Sequence, residues 1–480
     1  MTRISIDPIS RVEGHGKITL QQNEQKEITQ ARLYIAEFRG FEKFIQGRPY
    51  WEVPVLVQRL CGICPVSHHL AAAKATDMLV GARKISPAAE KIRRLMHFGQ
   101  VLQSHALHFF HLASPDLLFG YDDEVRHRNI VGMIQDYPEL AKQGVLLRKY
   151  GQEVIRITSG KRIHGTGAIP GGINKSLSKS ERDELLKDID QIVEWAVSAV
   201  QLFKKIYYEH ETYHCQFAKI SSNFMSLVQN NNGALELYDG LLRARKPDNQ
   251  LIFDFQDTNQ YLDLINEHIE PWSYMKFPFL KAIGVDEGWY RVGPLARINN
   301  CDFINTPLAE QERLIFKALS NGQPVQSTLA YHWARLIELL YCAESIRDLL
   351  PDPNLLGGEL TVKGDMQQTG IGVIEAPRGT LFHHYEINEE GLVTKANLIV
   401  STTHNNQAMN ESIRHVANQY LTGNEITEPL LNQLEVAVRA YDPCLSCATH
   451  ALGQMPLEVS LLDEQGQLID NKTKSSNYGV

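Results

Sequence analysis

The stretch Arg59-Leu-Cys61-Gly-Ile-Cys64-Pro-Val-Ser-His68-His69-Leu-Ala-Ala-Ala-Lys74 decides how this chain folds, because it sets two thiols three residues apart directly before a run of good helix formers. Pro65 suits a first helical turn, where its missing N–H costs nothing. Such a helix carries His68 one turn past Cys64, so its ring can turn back and donate to the sulfur. A second pair lies near the other end, in Tyr441-Asp442-Pro443-Cys444-Leu-Ser-Cys447-Ala-Thr-His450. Folding is therefore expected to bring up to four soft sulfur ligands together, with Arg59, His68 and Asp442 as hydrogen-bonding neighbours.

Composition narrows the classes. A chain of 480 residues can bury a large core, in two or three domains or in one elaborated one. With a net charge of -8 and its Lys and Arg residues scattered, it has no basic footprint for nucleic acid. No apolar run approaches a membrane span, and Met1-Thr-Arg-Ile-Ser-Ile-Asp-Pro lacks the apolar stretch of a secretory signal, so a cytoplasmic location is expected. Seven cysteines make a poor disulfide framework and fit a reducing compartment.

Alternation in the first forty residues, as in Lys17-Ile-Thr-Leu-Gln, predicts short strands ahead of the first thiol pair. Helices then dominate. One is expected from Ser86-Pro87 through Phe98 to His111, and Ser178 with Glu181 marks a capping box before a long amphipathic stretch to about His210. Residues 216–306 give no clear pattern. Helix returns from Leu308 to Leu350, a hairpin is expected within Gly370–Thr403, and a last helix from about Thr427 to Ala440 delivers the second thiol pair. With no internal repeat or low-complexity linker, residues 1–450 read as a single interwoven unit, and 451–480, ending in Lys472-Thr-Lys-Ser-Ser-Asn, read as a tail.

On spacing alone the thiol pairs leave open a structural zinc site or a redox pair. Cys215, Cys301 and Cys342 are single and read as small buried hydrophobes. His105, His108 and His111 share helical spacing, but their aromatic and apolar neighbours favour packed, hydrogen-bonded rings over a metal site. Gly165-Thr-Gly167-Ala-Ile-Pro170 carries proline where a dinucleotide fingerprint needs glycine, and neither a strand before it nor a helix after it is evident, so no nucleotide site is expected. Glu13, Glu42 and Arg378, taken singly, read as solvated charges.

Together, however, the segments Arg11-Val-Glu13-Gly-His15, Arg39-Gly-Phe-Glu42, Arg59 to His68, Gly293-Pro-Leu-Ala-Arg297, Glu375-Ala-Pro-Arg378-Gly and Asp442 to His450 occur in the order found in the large, catalytic subunit of nickel-iron hydrogenases, which the chain resembles from Arg11 to His450. Cys64-Pro-Val-Ser-His-His-Leu and Gln103-Ser-His-Ala-Leu-His-Phe-Phe-His look most like the bidirectional, NAD-linked cytoplasmic group. The resemblance implies an α+β fold, mainly α, with long helices and peripheral short sheets.

It also implies a nickel held by Cys61, Cys64, Cys444 and Cys447, with Cys64 and Cys447 bridging to an iron that carries carbon monoxide and two cyanides. Glu13 and Arg378 are the implied proton-handling residues. Arg378 and Thr402 match positions that contact the cyanides, while Glu42, the carbonyl of Leu398 and His450 match a second hard-metal site, usually magnesium. Where many relatives carry an acidic residue near the site arginine, this chain has Gln103-Ser104. The expected activity is reversible H2 oxidation and proton reduction. Three remaining cysteines are too few for an iron–sulfur cluster, so an iron–sulfur small subunit is required, with flavin- and NAD-bearing diaphorase subunits beyond it. Nickel chaperones and a maturation endopeptidase that removes 451–480 are implied as well. The competing expectations are a cytoplasmic hydrogenase using a deazaflavin or NADP, a metal-free quinone-site subunit of the complex I type, and a zinc scaffold.

Overall fold

The computed structural model describes residues 2–7, 11–14, 16–35, 40–120, 127–270, 272–273, 275–421, 427–445, 457–462 and 468–474. Cys447 and His450, together with His15 and Arg39 of the quoted motifs, lie outside them. The expected N-terminal strands form as Thr2–Asp7, Gly16–Gln22 and Ile28–Ile35, paired antiparallel. Leu457–Leu462 and Leu468–Lys474 extend this sheet to five strands, the first of them adding antiparallel to Thr2–Asp7. That corrects the reading of the polar run as a tail. Lys472 and Thr473 sit in ladder register with Val459 and Glu458, and a partner strand's backbone can hold residues that show no strand pattern of their own.

Helix Pro65–Leu79 begins at Cys64, and Pro87–Leu107 begins with the Ser86 hydroxyl accepting from the Ala89 amide at 3.1 Å. The second helix departs from expectation after Leu107, where a π-helical turn, His108–Ala113, leads into Ser114–Phe119. The Ser178–Glu181 capping box is present, but the long helix expected after it breaks into Lys179–Leu186 and Ile189–Glu209, with neither Gly nor Pro at the break. The stretch from Leu308 likewise divides into Pro307–Ala318 and Ala330–Leu349, separated by Asn321-Gly322 at φ of 53° and 79°. The last helix, Glu428–Ala440, is capped by Thr427 as expected. Gly379–Ile387 and Val393–Ile399 form the expected hairpin, and Thr369–Ala376 joins it as a third strand. Residues 216–306 hold a four-stranded and a two-stranded sheet.

Helix Ala330–Leu349 lies at the centre of the largest apolar cluster, with almost every residue buried. A helix enclosed on all sides must partner its charges. Glu344 accepts the Leu308 and Ala309 amides at 3.1 and 2.9 Å, using the free donors that open helix Pro307–Ala318. Helices Pro87–Leu107 and Pro138–Ser159 cross where both backbones lack a Cβ: one added at Gly151 would sit 2.6 Å from the Gly99 carbonyl and 2.8 Å from Gln103 Cβ.

Gly151→Val therefore forces these helices apart and should destabilise the chain by about 1–3 kcal/mol, the usual cost of overpacking, read as a lower thermal midpoint at unchanged helix content. A second expectation concerns acid. Burial holds His69 and His105 down to about 4 and His97 and His404 down to about 3, against 6.5 for a free ring. His69 has both nitrogens engaged, Nδ1 with the Pro54 carbonyl at 2.7 Å and Nε2 accepting the Ala168 amide at 3.0 Å. Below pH 6.5 the unfolded chain binds protons that the folded chain refuses, so stability falls as pH falls toward 4. Thermal midpoints of the metal-free protein should be nearly level from pH 8 to 7 and drop between pH 6.5 and 5.

Candidate metal centre

Cys61 and Cys64 sit in the loop between the turn Val57–Leu60 and helix Pro65–Leu79, and Cys444 follows helix Glu428–Ala440. Their sulfurs converge: Cys61 Sγ is 2.8 Å from Cys64 Sγ and 3.5 Å from Cys444 Sγ, and all three side chains are buried. The amides of Cys64 and Ile63 donate to Cys61 Sγ at 3.0 and 3.4 Å, which favours a thiolate there. Contact with Cys444 and Cys61, reinforced by burial, pushes the Cys64 thiol well above its ordinary range. Three thiols this close cannot all shed their protons into an apolar interior unless a cation takes their charge. The donor set is thus suited to a soft metal ion.

The wall opposite the sulfurs is built around Arg378. Its Nε donates to the Asp442 carbonyl at 2.5 Å and its Nη2 to the Asp442 carboxylate at 3.0 Å, while Nη1 is buried without a hydrogen-bond partner among the described residues. Burial opposes the Arg378 cation, but Asp442 and the neighbouring thiols outweigh it and raise its pKa. Asp442 holds φ at 54°, a left-handed conformation that turns the chain sharply after the helix and aims Cys444 inward. The Cys444 amide donates to Thr402 Oγ1 at 3.0 Å, which leaves the hydroxyl proton of Thr402 free to point elsewhere. Cys64, Cys444, His68, Arg378 and Thr402 line one small cavity. The donors suit small anionic ligands, because the unpaired guanidinium nitrogen and the hydroxyl can both donate into this space.

Glu13 forms a parallel bridge with Cys444, and the Leu445 amide donates to the Glu13 carbonyl at 2.8 Å, so the N-terminal loop is pinned beside the second thiol segment. His68 Nδ1 lies 3.2 Å from His383 Nε2, and His383 in turn contacts the Tyr385 hydroxyl. At a separate place, Glu42 Oε1 accepts the Leu398 amide at 2.9 Å, bringing together two of the three residues expected at a hard-metal site. His105 and His108 are packed rings, at 2.9 Å from Glu338 Oε2 and 2.8 Å from the Arg439 carbonyl.

Several supports were not read from the sequence. Gln103 Nε2 and Gln100 Nε2 both donate to the Ile63 carbonyl, at 2.8 and 3.0 Å, and fix the loop between the first two thiols. Gln103 thus serves the cysteine loop. Arg297 bonds the Ala376 and Pro377 carbonyls at 2.9 and 3.2 Å, immediately before Arg378, and is itself held by Glu338 and Glu375. The available signal was Glu338 set between apolar pairs in Leu336-Ile337-Glu338-Leu339-Leu340, since a charge there needs a buried partner.

A profile of the nickel-dependent hydrogenases matches residues 39–119 and 245–450, and one described as HoxL-like matches residues 3–38. The beta subunit of the NAD-reducing hydrogenase HoxS of Cupriavidus necator is 46% identical, covering 98% of this chain and 99% of its own. The F420-non-reducing hydrogenase of Methanothermobacter thermautotrophicus contains a polypeptide that is 41% identical over 98% of this chain and 99% of its own length. The crystal structure of an NAD+-reducing [NiFe]-hydrogenase in the H2-reduced state superposes with a TM-score of 0.90 at 56% identity, covering 93% of this chain and 99% of that one. The Ni-Fe-Se hydrogenase of Desulfomicrobium baculatum, at 23% identity and a TM-score of 0.73 over 93% of this chain and 100% of that one, shares the fold. The expectations of a zinc scaffold and of a metal-free quinone-site chain are overturned, for a buried thiol cluster of this kind in a chain matched over nearly its whole length makes it a member of the nickel-dependent hydrogenases.

Proposed function

We propose that this chain is the catalytic subunit of a hydrogenase that oxidises H2 and reduces protons reversibly, passing electrons through an iron–sulfur small subunit to a flavin-bearing diaphorase that reduces NAD. The observation that carries the reading is the single cavity lined by two of the converging thiols, Arg378 and Thr402. Cys61, Cys64 and Cys444, with Cys447, would hold nickel, and the bridging pair Cys64 and Cys447 would hold iron bearing carbon monoxide and two cyanides. Bound there, the group supplies the Lewis acidity and redox change that split H2 heterolytically. The chain's own residues then manage the proton and exclude water. Arg378 Nη1 and the Thr402 hydroxyl would donate to the cyanides, Cys444 Sγ would accept the proton, and the Glu13 carboxylate would carry it outward. His68 would donate toward the cysteine sulfur, and Asp442 orients Arg378.

Glu42, the Leu398 carbonyl and His450 would bind magnesium, tying the C-terminal segment to the sheet. NAD as acceptor is favoured by the 46% and 56% identities to NAD-reducing enzymes, and it suits a cytoplasmic location; among the described residues no helix is long and apolar enough to cross a membrane. The 41% match to an F420-non-reducing hydrogenase keeps another acceptor as the second reading, which the identity of the co-purifying electron-carrying subunits decides.

Residues 451–480 would be removed after His450 by an endopeptidase once nickel chaperones have loaded the site. Intact-mass analysis of active enzyme should show a chain ending at His450; full activity in a chain ending at Val480 would refute cleavage.

Cys444→Ala should lose nickel, and with it at least about 10²-fold in activity, the scale lost even when a group that only orients a ligand is removed. Metal analysis and hydrogen uptake of the assembled complex check this. Glu13→Gln keeps size and hydrogen bonding but cannot carry a proton, so metal content and the infrared bands of carbon monoxide and cyanide should persist while hydrogen–deuterium exchange falls about 10²–10⁴-fold. Wild-type exchange in that variant would remove Glu13 from the proton path.

A further inference from the structure

Behind the cysteine cluster lies a buried charge group that the proposed chemistry does not use. Asp116, 3% exposed, lies in the short helix after the π-helical turn. Its Oδ1 accepts from Arg11 Nη2 and its Oδ2 from Arg439 Nη1, and Arg128 Nη1 is 3.4 Å from Oδ1. Burial works against this carboxylate, but Arg439, Arg11 and Arg128 outweigh it and keep it ionised. The two main partners come from opposite ends of the chain. Arg11 also donates through Nη1 to the Leu112 carbonyl at 3.0 Å, and Arg439 Nε reaches the Arg11 carbonyl at 3.4 Å.

What these partners lead to gives the cluster its meaning. Arg11 holds φ at 52°, a left-handed conformation that an ordinary residue keeps only where its surroundings hold it there. Two residues later Glu13 bridges Cys444, with the Leu445 amide bonded to its carbonyl. Arg439 occupies the last turn of the helix that leads to that same cysteine. One carboxylate therefore grips both strands of the Glu13–Cys444 contact just upstream of where they meet.

We infer that Asp116 is a positioning residue: by binding Arg11 and Arg439 together it sets the register in which Glu13 lies against Cys444. Its catalytic consequence rests on Glu13 carrying the proton, whereas the register itself can be measured without metal or turnover. The Leu445 amide reports it, because it donates to the Glu13 carbonyl across the contact. In the full-length, metal-free chain, Asp116→Asn should speed deuterium exchange at Leu445 at least about tenfold, while amides of the buried helix Ala330–Leu349 exchange as in the wild type. Arg11→Gln is the companion variant, since Arg11 has 16% of its side chain exposed and its loss leaves the Asp116–Arg439 pair in place. It should speed Leu445 in the same selective way, and it decides the question alone if Asp116→Asn does not accumulate. Unchanged Leu445 exchange, or a rise shared equally with the buried helix, overturns the proposal.

In the assembled enzyme, Asp116→Asn should lower hydrogen–deuterium exchange, and combining it with Glu13→Gln should lower it no further than Glu13→Gln does, within about twofold. Losses that multiply would mean that Asp116 acts by another route. If Glu13→Gln itself exchanges at the wild-type rate, the proton-path reading fails, and Leu445 still decides the register.

Discussion

The rest of the centre depends on the grip of Arg378 on Asp442. One guanidinium bonds both the carbonyl and the carboxylate of Asp442, and so joins the turn between two strands of the three-stranded sheet to the segment that carries Cys444. The grip holds the left-handed bend at Asp442, from which Cys444 takes its direction. The arginine is in turn aimed by a layer of buried charge. Arg297 holds the two carbonyls before it, Glu338 and Glu375 hold Arg297, and His105 holds Glu338.

Such burial is not an efficient source of stability. Two or three ions removed from water recover little more than their desolvation cost, and well-packed apolar residues would often serve as well. What the charges provide is direction. A guanidinium bonded along its planar fork cannot rotate or slide, whereas an apolar side chain of equal volume tolerates several packings. For a small buried cavity in which donors must meet small anionic ligands, that fixed direction is the useful property.

The same principle recurs at the edges of the site. Gln100 and Gln103 hold the loop between Cys61 and Cys64, Thr402 holds the Cys444 amide, and the bridge from Glu13 holds the loop that follows. Helix Pro65–Leu79 can lie close to the sheet only because strand Thr369–Ala376 has Gly372 where a Cβ would come 2.0 Å from the Ala71 carbonyl. Rigid packing of helix on sheet thus places Cys64 near Arg378, and the polar contacts then set the angles.

The sequence by itself determined the ligand types and the local frames around them. Two Cys-x-x-Cys pairs, Pro65 opening a helix, the Thr427 cap and the Ser178–Glu181 box all act over a few residues, and local sterics and hydrogen bonds suffice to make them legible. Resemblance of the ordered segments to a known family brought Glu13, Glu42 and Arg378 forward, although singly each looked like a solvated charge. What local sequence could not express was partnership across hundreds of residues: Asp116 with Arg11 and Arg439, Arg297 with Glu375, or the strand Leu457–Leu462 laid on Thr2–Asp7. Only the tertiary structure decided these, because the energy of a buried charge or an edge strand is set by whatever folding brings against it.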